Sequence, residues 1–163
     1  MSTAKDGTTA GELLLALVDR VSHRGGDTLS LMNEAGTTLP QILFLARLRQ
    51  AGGGTASDLA EKLNMSLPAV SQMVDRLFRL GLLSRAEDAE DRRRKQLATT
   101  AKADALLDRL TRARGAEYSR GVARLSPALR KELAAVLQKA VRELSKSELF
   151  CVTAPPKVRK KTQ

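Results

Sequence analysis

Residues 55–100 read TASDLAEKLNMSLPAVSQMVDRLFRLGLLSRAEDAEDRRRKQLATT, and this stretch decides the fold. Thr55 can cap a short helix, with Asp58 at its third position facing the positive helix end. Leu59, Ala60 and Leu63 form the buried stripe of that helix. Asn64-Met65-Ser66 is a tight break, and Ser66 can cap the next helix, with Pro68 tolerated in its first turn. Val70, Met73, Val74, Leu77 and Leu80 then fall on one side, and Pro68, Ala69, Gln72, Asp75, Arg76 and Arg79 mainly on the other. Gly81 stops the helix. Leu82-Leu83-Ser84 and Lys95-Gln96-Leu97-Ala98-Thr99 are short enough for two strands, joined by the charged stretch 85–94.

Helix, turn, helix and charged hairpin, in that order, make a winged helix-turn-helix. In such a fold one helix fits the major groove of DNA and a basic loop reaches the neighbouring backbone or minor groove. A docked apolar stripe with a free polar face is what a groove reader needs, and it is also how most surface helices look.

Outward from this core, Thr38-Leu39-Pro40-Gln41 has a cap, a first-turn proline and a capping-box glutamine. Gly52-Gly53-Gly54 ends the helix that follows. Upstream, Leu13, Leu14, Leu17, Val18 and Val21 keep helical spacing from about residue 9. Gly25-Gly26 interrupts this pattern, giving one helix with a weak middle or two short ones. Residues 1–8 are small and polar and read as a loose arm. Downstream, Thr100 can cap a long helix running to about 125. Ser126-Pro127 then starts another, with Leu129, Leu133, Val136, Leu137, Val141 and Leu144 as its seam. The ending APPKVRKKTQ, with two prolines and four positive charges, reads as disordered.

The chain of 163 residues is 42% apolar but only 2% aromatic, so its core must be aliphatic. Net charge is +10, which suits a polyanionic partner without telling nucleic acid from an acidic membrane surface. The surplus is uneven. Residues 1–36 carry three Lys/Arg against five Asp/Glu, 37–100 ten against seven, and 101–163 fifteen against six. Most of it therefore lies outside the reading head. The most apolar early run, 13–18, is far short of the roughly twenty residues of a membrane span, so no membrane association is expected and the location reads as cytoplasmic, on the nucleoid. A single cysteine, Cys151, excludes an internal disulfide framework, and it reads as a bystander thiol. With His23 the only histidine, no cluster has zinc-ligand spacing and no cofactor is expected. Neither a nucleophile motif nor a phosphate loop is present, so the chain does not read as an enzyme.

On the candidate reading helix, Gln72 can bond an adenine edge with both groups of its amide, or simply face solvent. Ser66 and Ser71 suit phosphate contacts, while Ser66 serves equally as a plain cap. Arg76 is long enough for a phosphate or a guanine, or for an ion pair with a neighbouring carboxylate. Pro68 and Ala69 share the exposed face.

These residues resemble the MarR family of bacterial transcription regulators. The resemblance rests on Leu59-Ala60, Val70-Ser71, Leu77, Gly81-Leu82-Leu83, Arg85 and, most of all, Asp91-Arg92-Arg93 at the loop tip. Departures are Thr99-Thr100 where Leu-Thr is usual, Ala103 in place of a glycine, and Ala89-Glu90 where a proline is common. The resemblance implies a mainly α fold with a small β-wing and terminal dimerisation helices. Residues 1–36 would form an N-terminal dimerisation region, 37–100 the DNA-binding domain and 101–150 the C-terminal dimerisation helices, leaving 151–163 as a basic tail. It further implies a homodimer on double-stranded DNA, acting as a regulator, read as a repressor, on an inverted-repeat operator. Two reading helices would then lie one turn of DNA apart, roughly 34 Å. Helix 66–80 and wing 85–98 would make the contacts. Arg93 would enter the minor groove with its side chain held by Asp91, and Arg92, Arg94 and Lys95 would touch phosphates. A small aromatic or phenolic anion is the implied effector, with Arg20, His23, Arg24 and Arg47 lining its cleft. The competing reading, from charge alone, is a non-specific architectural nucleic-acid-binding protein using the basic last third.

Overall fold

Side-chain caps set the helix starts. The Thr55 hydroxyl accepts from the Asp58 N–H at 3.2 Å, and the Asp58 carboxylate accepts from the Thr55 N–H at 3.1 Å. Ser66 and Ser126 accept from the N–H groups of Ala69 and Leu129. The Gln41 side chain accepts from the Thr38 N–H at 3.0 Å. Each cap satisfies an N–H group that the helix leaves without an internal partner.

The computed structural model describes residues 3–22, 26–87 and 95–145. Its elements are α1 (Thr3–Val21), α2 (Asp27–Glu34), α3 (Leu39–Ala51), α4 (Ala56–Lys62), α5 (Leu67–Arg79), β1 (Leu83–Glu87), β2 (Lys95–Thr99), α6 (Ala101–Val122) and α7 (Pro127–Leu144). The chain divides into two compact units. Among the described residues, 32–108 form one, and 3–31 with 109–145 form the other.

In the unit 32–108, the core is aliphatic apart from Phe44. Phe44, Leu45, Leu48, Leu59, Val70, Leu77, Leu82 and Leu83 are all fully buried. Each such side chain contributes about 1.5–3 kcal/mol relative to exposure. Strands β1 and β2 pair antiparallel, with Leu83 opposite Thr99, Arg85 opposite Leu97 and Glu87 opposite Lys95. Gly54 adds a bridge to Leu97, through N–H to carbonyl bonds of 3.1 and 2.9 Å, so the glycine run ending α3 also anchors β2. Gly53 has φ +119, and a Cβ there would meet the Leu97 carbonyl oxygen at 3.1 Å, which is why this position is glycine. The start of α6 is tied to α3 by Arg49, which reaches the Asp108 carboxylate at 2.7 Å.

In the other unit, Val21 is buried and α1 approaches α6 closely at Gly121. Glu117 is buried, its carboxylate 3.3 Å from where a Gly26 Cβ would stand. Helix α7 has no buried residue, and its Leu129, Val136, Leu137, Val141 and Leu144 are exposed. Leu13, Leu14 and Leu15 of α1 are exposed as well.

Two expectations change. Helix α1 begins at Thr3 rather than near residue 9, so the small polar opening is helix and not a loose arm. Propensity is a weak prior, and extending a formed helix costs far less than nucleating one. Strand β1 spans Leu83–Glu87 rather than 82–84, because its pairing with β2 continues through three charged or small residues that the sequence alone reads as loop. Residues 1–36 contain two helices, the second of the two alternatives. The expectations for Cys151 and the basic tail 151–163 lie outside the described residues.

Candidate nucleic-acid interface

Helix α5 docks through Val70, Val74 and Leu77, which are buried, with Met73 and Leu80 half-buried beside them. The rest of its circumference is open. At about 100° per residue the exposed arc runs from Leu67, Phe78 and Ser71 on one side, through Asp75 and Pro68 in the middle, to Arg79, Gln72 and Arg76 on the other. Ala69 is half-buried. The cap at Ser66 and the proline in the first turn fix where the arc begins, and Gly81, at φ +69, fixes where it ends.

The expected reading residues Ser66, Pro68, Ser71, Gln72 and Arg76 are therefore all exposed on one helix. Ser66 acts as the cap, and its exposure leaves the hydroxyl at the helix mouth. Ser71 faces the wing side, where an open cleft of about 370 Å³ is lined by Thr55, Ser57, Leu67, Ser71, Asp75, Arg85 and Lys95, among others. The ion-pair alternative for Arg76 through Asp75 does not hold, because Asp75 pairs with Arg85 instead. Lys95 is exposed at the start of β2, opposite Glu87. Asp91, Arg92, Arg93 and Arg94 lie outside the described residues.

Of the four residues expected around an effector, Arg20 is exposed in the last turn of α1 and Arg47 is half-buried in α3. They belong to different compact units, and His23 and Arg24 lie outside the described residues. Among the described residues no group of three or more His, Cys, Asp or Glu side chains is placed to hold a metal ion. No described helix is long and apolar enough to cross a membrane.

Sequence reasoning underrated Arg85 and Phe78. The Arg85 guanidinium pairs with the Asp75 carboxylate and lies 4.7 Å from the Phe78 ring centroid. The signal available was a bulky aromatic on the polar side of an otherwise amphipathic helix, seven residues from an arginine on a neighbouring strand. Lys102 Nζ donates to the Leu80 carbonyl at 2.8 Å, closing the helix end from the other direction.

Comparison with known proteins agrees with this geometry. The sequence profile described as MarR family matches residues 37–95. The chain is 31% identical over 94 residues to the HTH-type transcriptional repressor MdtR of Bacillus subtilis. That match covers 58% of this chain and 61% of the repressor, so the chain spans about three-fifths of that relative's length. Two solved structures show the same fold. The YusO protein of Bacillus subtilis has a TM-score of 0.62 at 24% identity, covering 86% of this chain and 94% of its own. A MepR–DNA complex of S. aureus has a TM-score of 0.58 at 24% identity, covering 84% and 96%.

Proposed function

We propose that this chain, whose residues 37–95 match the MarR family, is a dimeric regulator of transcription that reads an inverted-repeat operator with α5. The observation that carries this reading is the exposed arc of α5. An amide, Gln72, and a long cation, Arg76, stand free on the outer side of a helix whose other side is locked into an aliphatic core. An amide can pair with both edge groups of an adenine, and a guanidinium suits a phosphate or a guanine. Arg93, with Asp91 beside it, would probe the minor groove next to Arg92, Arg94 and Lys95.

Dimerisation is supported by the uncovered aliphatic seams of α1 and α7, since contiguous apolar surface of this kind marks an interaction face. The role of the MdtR repressor in transcription supports a regulatory purpose. Control by a small aromatic or phenolic anion belongs to the same reading, as differential affinity of the effector for the free and DNA-bound states.

The test is fluorescence anisotropy on duplexes selected from a random library. Wild type should bind a selected duplex far more tightly than a scrambled one, and Gln72→Ala should narrow that difference by about 1–3 kcal/mol. Equal affinity for both duplexes, with binding that depends only on salt, would replace this reading with that of a non-specific coating protein using the basic last third.

A further inference from the structure

Asp75 is the one carboxylate on the exposed arc of α5, and it stands at the centre of that arc, about 60° around the helix from Gln72 and 40° from Arg79. Its side chain is 60% exposed. A bare carboxylate here would face the phosphate walls of any groove the helix entered. Arg85 reaches it from β1. One guanidinium nitrogen pairs with Asp75 Oδ1, the guanidinium lies against the face of Phe78 at 4.7 Å, and Arg85 Nε is buried with no hydrogen-bond partner. Burying an N–H unpaired carries a desolvation cost, so the head is held by the carboxylate and the ring together and not by a full set of hydrogen bonds.

We infer that Arg85 is a positioning residue for DNA recognition: it acts through Asp75, cancelling that carboxylate's charge in the middle of the reading face. The inference rests on the proposed DNA-reading function. Arg85 itself does not contact DNA in this account. Its side chain is only 25% exposed, and its charge is already engaged by Asp75. Phe78, which is 48% exposed, gains a purpose as the platform that fixes the guanidinium plane.

A double-mutant cycle tests this with anisotropy on a duplex that wild type selects. Asp75→Asn should leave affinity within roughly threefold of wild type, Arg85→Gln should weaken it about tenfold or more, and adding Asp75→Asn to Arg85→Gln should restore most of the loss. The salt slope should be the same for wild type and the double variant. Arg85→Lys, which keeps the charge and loses the fork, should lie between wild type and Arg85→Gln, and circular dichroism melts show that each variant is folded. If Arg85→Gln does not fold, Arg85→Lys alone and combined with Asp75→Asn carry the cycle. Four results would overturn the inference: additive losses, no rescue by Asp75→Asn, a salt slope reduced by about one in Arg85→Gln and not restored in the double variant, or a loss of binding in Asp75→Asn alone. Failure of wild type to prefer any duplex sinks the DNA-reading function itself, a result distinct from a binder whose Arg85 loss is not rescued.

Discussion

Thr100 Oγ1 donates to the Gly81 carbonyl at 2.8 Å and accepts from the Ala103 N–H at 3.2 Å. One hydroxyl thus caps α6 and holds the glycine that ends α5. Gly81 adopts φ +69, a conformation glycine enters without a steric penalty, and its carbonyl would otherwise be left to solvent. The Thr100 N–H also reaches the Leu82 carbonyl at 3.3 Å. The wing therefore returns to the end of α5 at a defined point.

Replacing Thr100 with Val removes both side-chain bonds while keeping the shape. Unfolding in urea should show a loss of about 1–2 kcal/mol, and Thr100→Ser should recover most of it. Unchanged stability in Thr100→Val would mean that the cap contributes nothing.

Gly121 is the contact point of α1 with α6. A Cβ there would stand 2.5 Å from Val21 Cβ and 2.7 Å from the Val21 carbonyl oxygen. Backbone atoms cannot yield as a flexible side chain can. Gly121→Ala should lower stability by about 1–3 kcal/mol, measured as a drop in the thermal midpoint, whereas Gly115→Ala, with open space at its Cβ, should be neutral or stabilising.

The outer row of α5 separates two kinds of contact. Gln72→Ala should cost about 1–3 kcal/mol on the selected duplex and relax preference at one base position. Arg76→Ala, if its partner is a phosphate, should weaken all duplexes alike and reduce the salt slope by about one. Anisotropy titrations over a range of salt and single-base operator variants distinguish the two patterns.

The seam of α7 gives an assembly prediction. Leu137 and Val141 lie one turn apart and are 41% and 60% exposed in a single chain. If a second copy covers them, Leu137→Glu places an unpaired charge in the interface, and the dimer should weaken by about tenfold or more in sedimentation equilibrium. A Leu137→Glu protein with wild-type assembly would remove α7 from the interface.

Much of this arrangement is legible in the sequence because local signals agree. Thr55 with Asp58, Ser66 with Pro68, Gly81 and Ser126 with Pro127 each mark a boundary by a mechanism that acts within four residues. The stripe Val70, Val74, Leu77 identifies the buried side of α5 by period alone. What was not legible depends on partners distant in sequence. The strand through Arg85, Ala86 and Glu87 exists because Leu97, Gln96 and Lys95 face it, and no local pattern distinguishes that stretch from a charged loop. The same holds for the partner of Asp75: its place on the polar side of α5 follows from the period, but the arginine that pairs with it stands on another element. The helical start of α1 at Thr3 was missed for the opposite reason, since small polar residues give weak signals in either direction.

The central claim is that two copies present their α5 helices to successive turns of duplex DNA. Rounds of selection from a random duplex library, with sequencing of the bound pool, test it most directly. The account predicts an enriched inverted repeat with half-site centres about 10 base pairs apart, which in the pool selected by Gln72→Ala keeps its symmetry and loses preference at one position of each half-site. A pool no different from the input, or one enriched for a single unrepeated half-site, would contradict it.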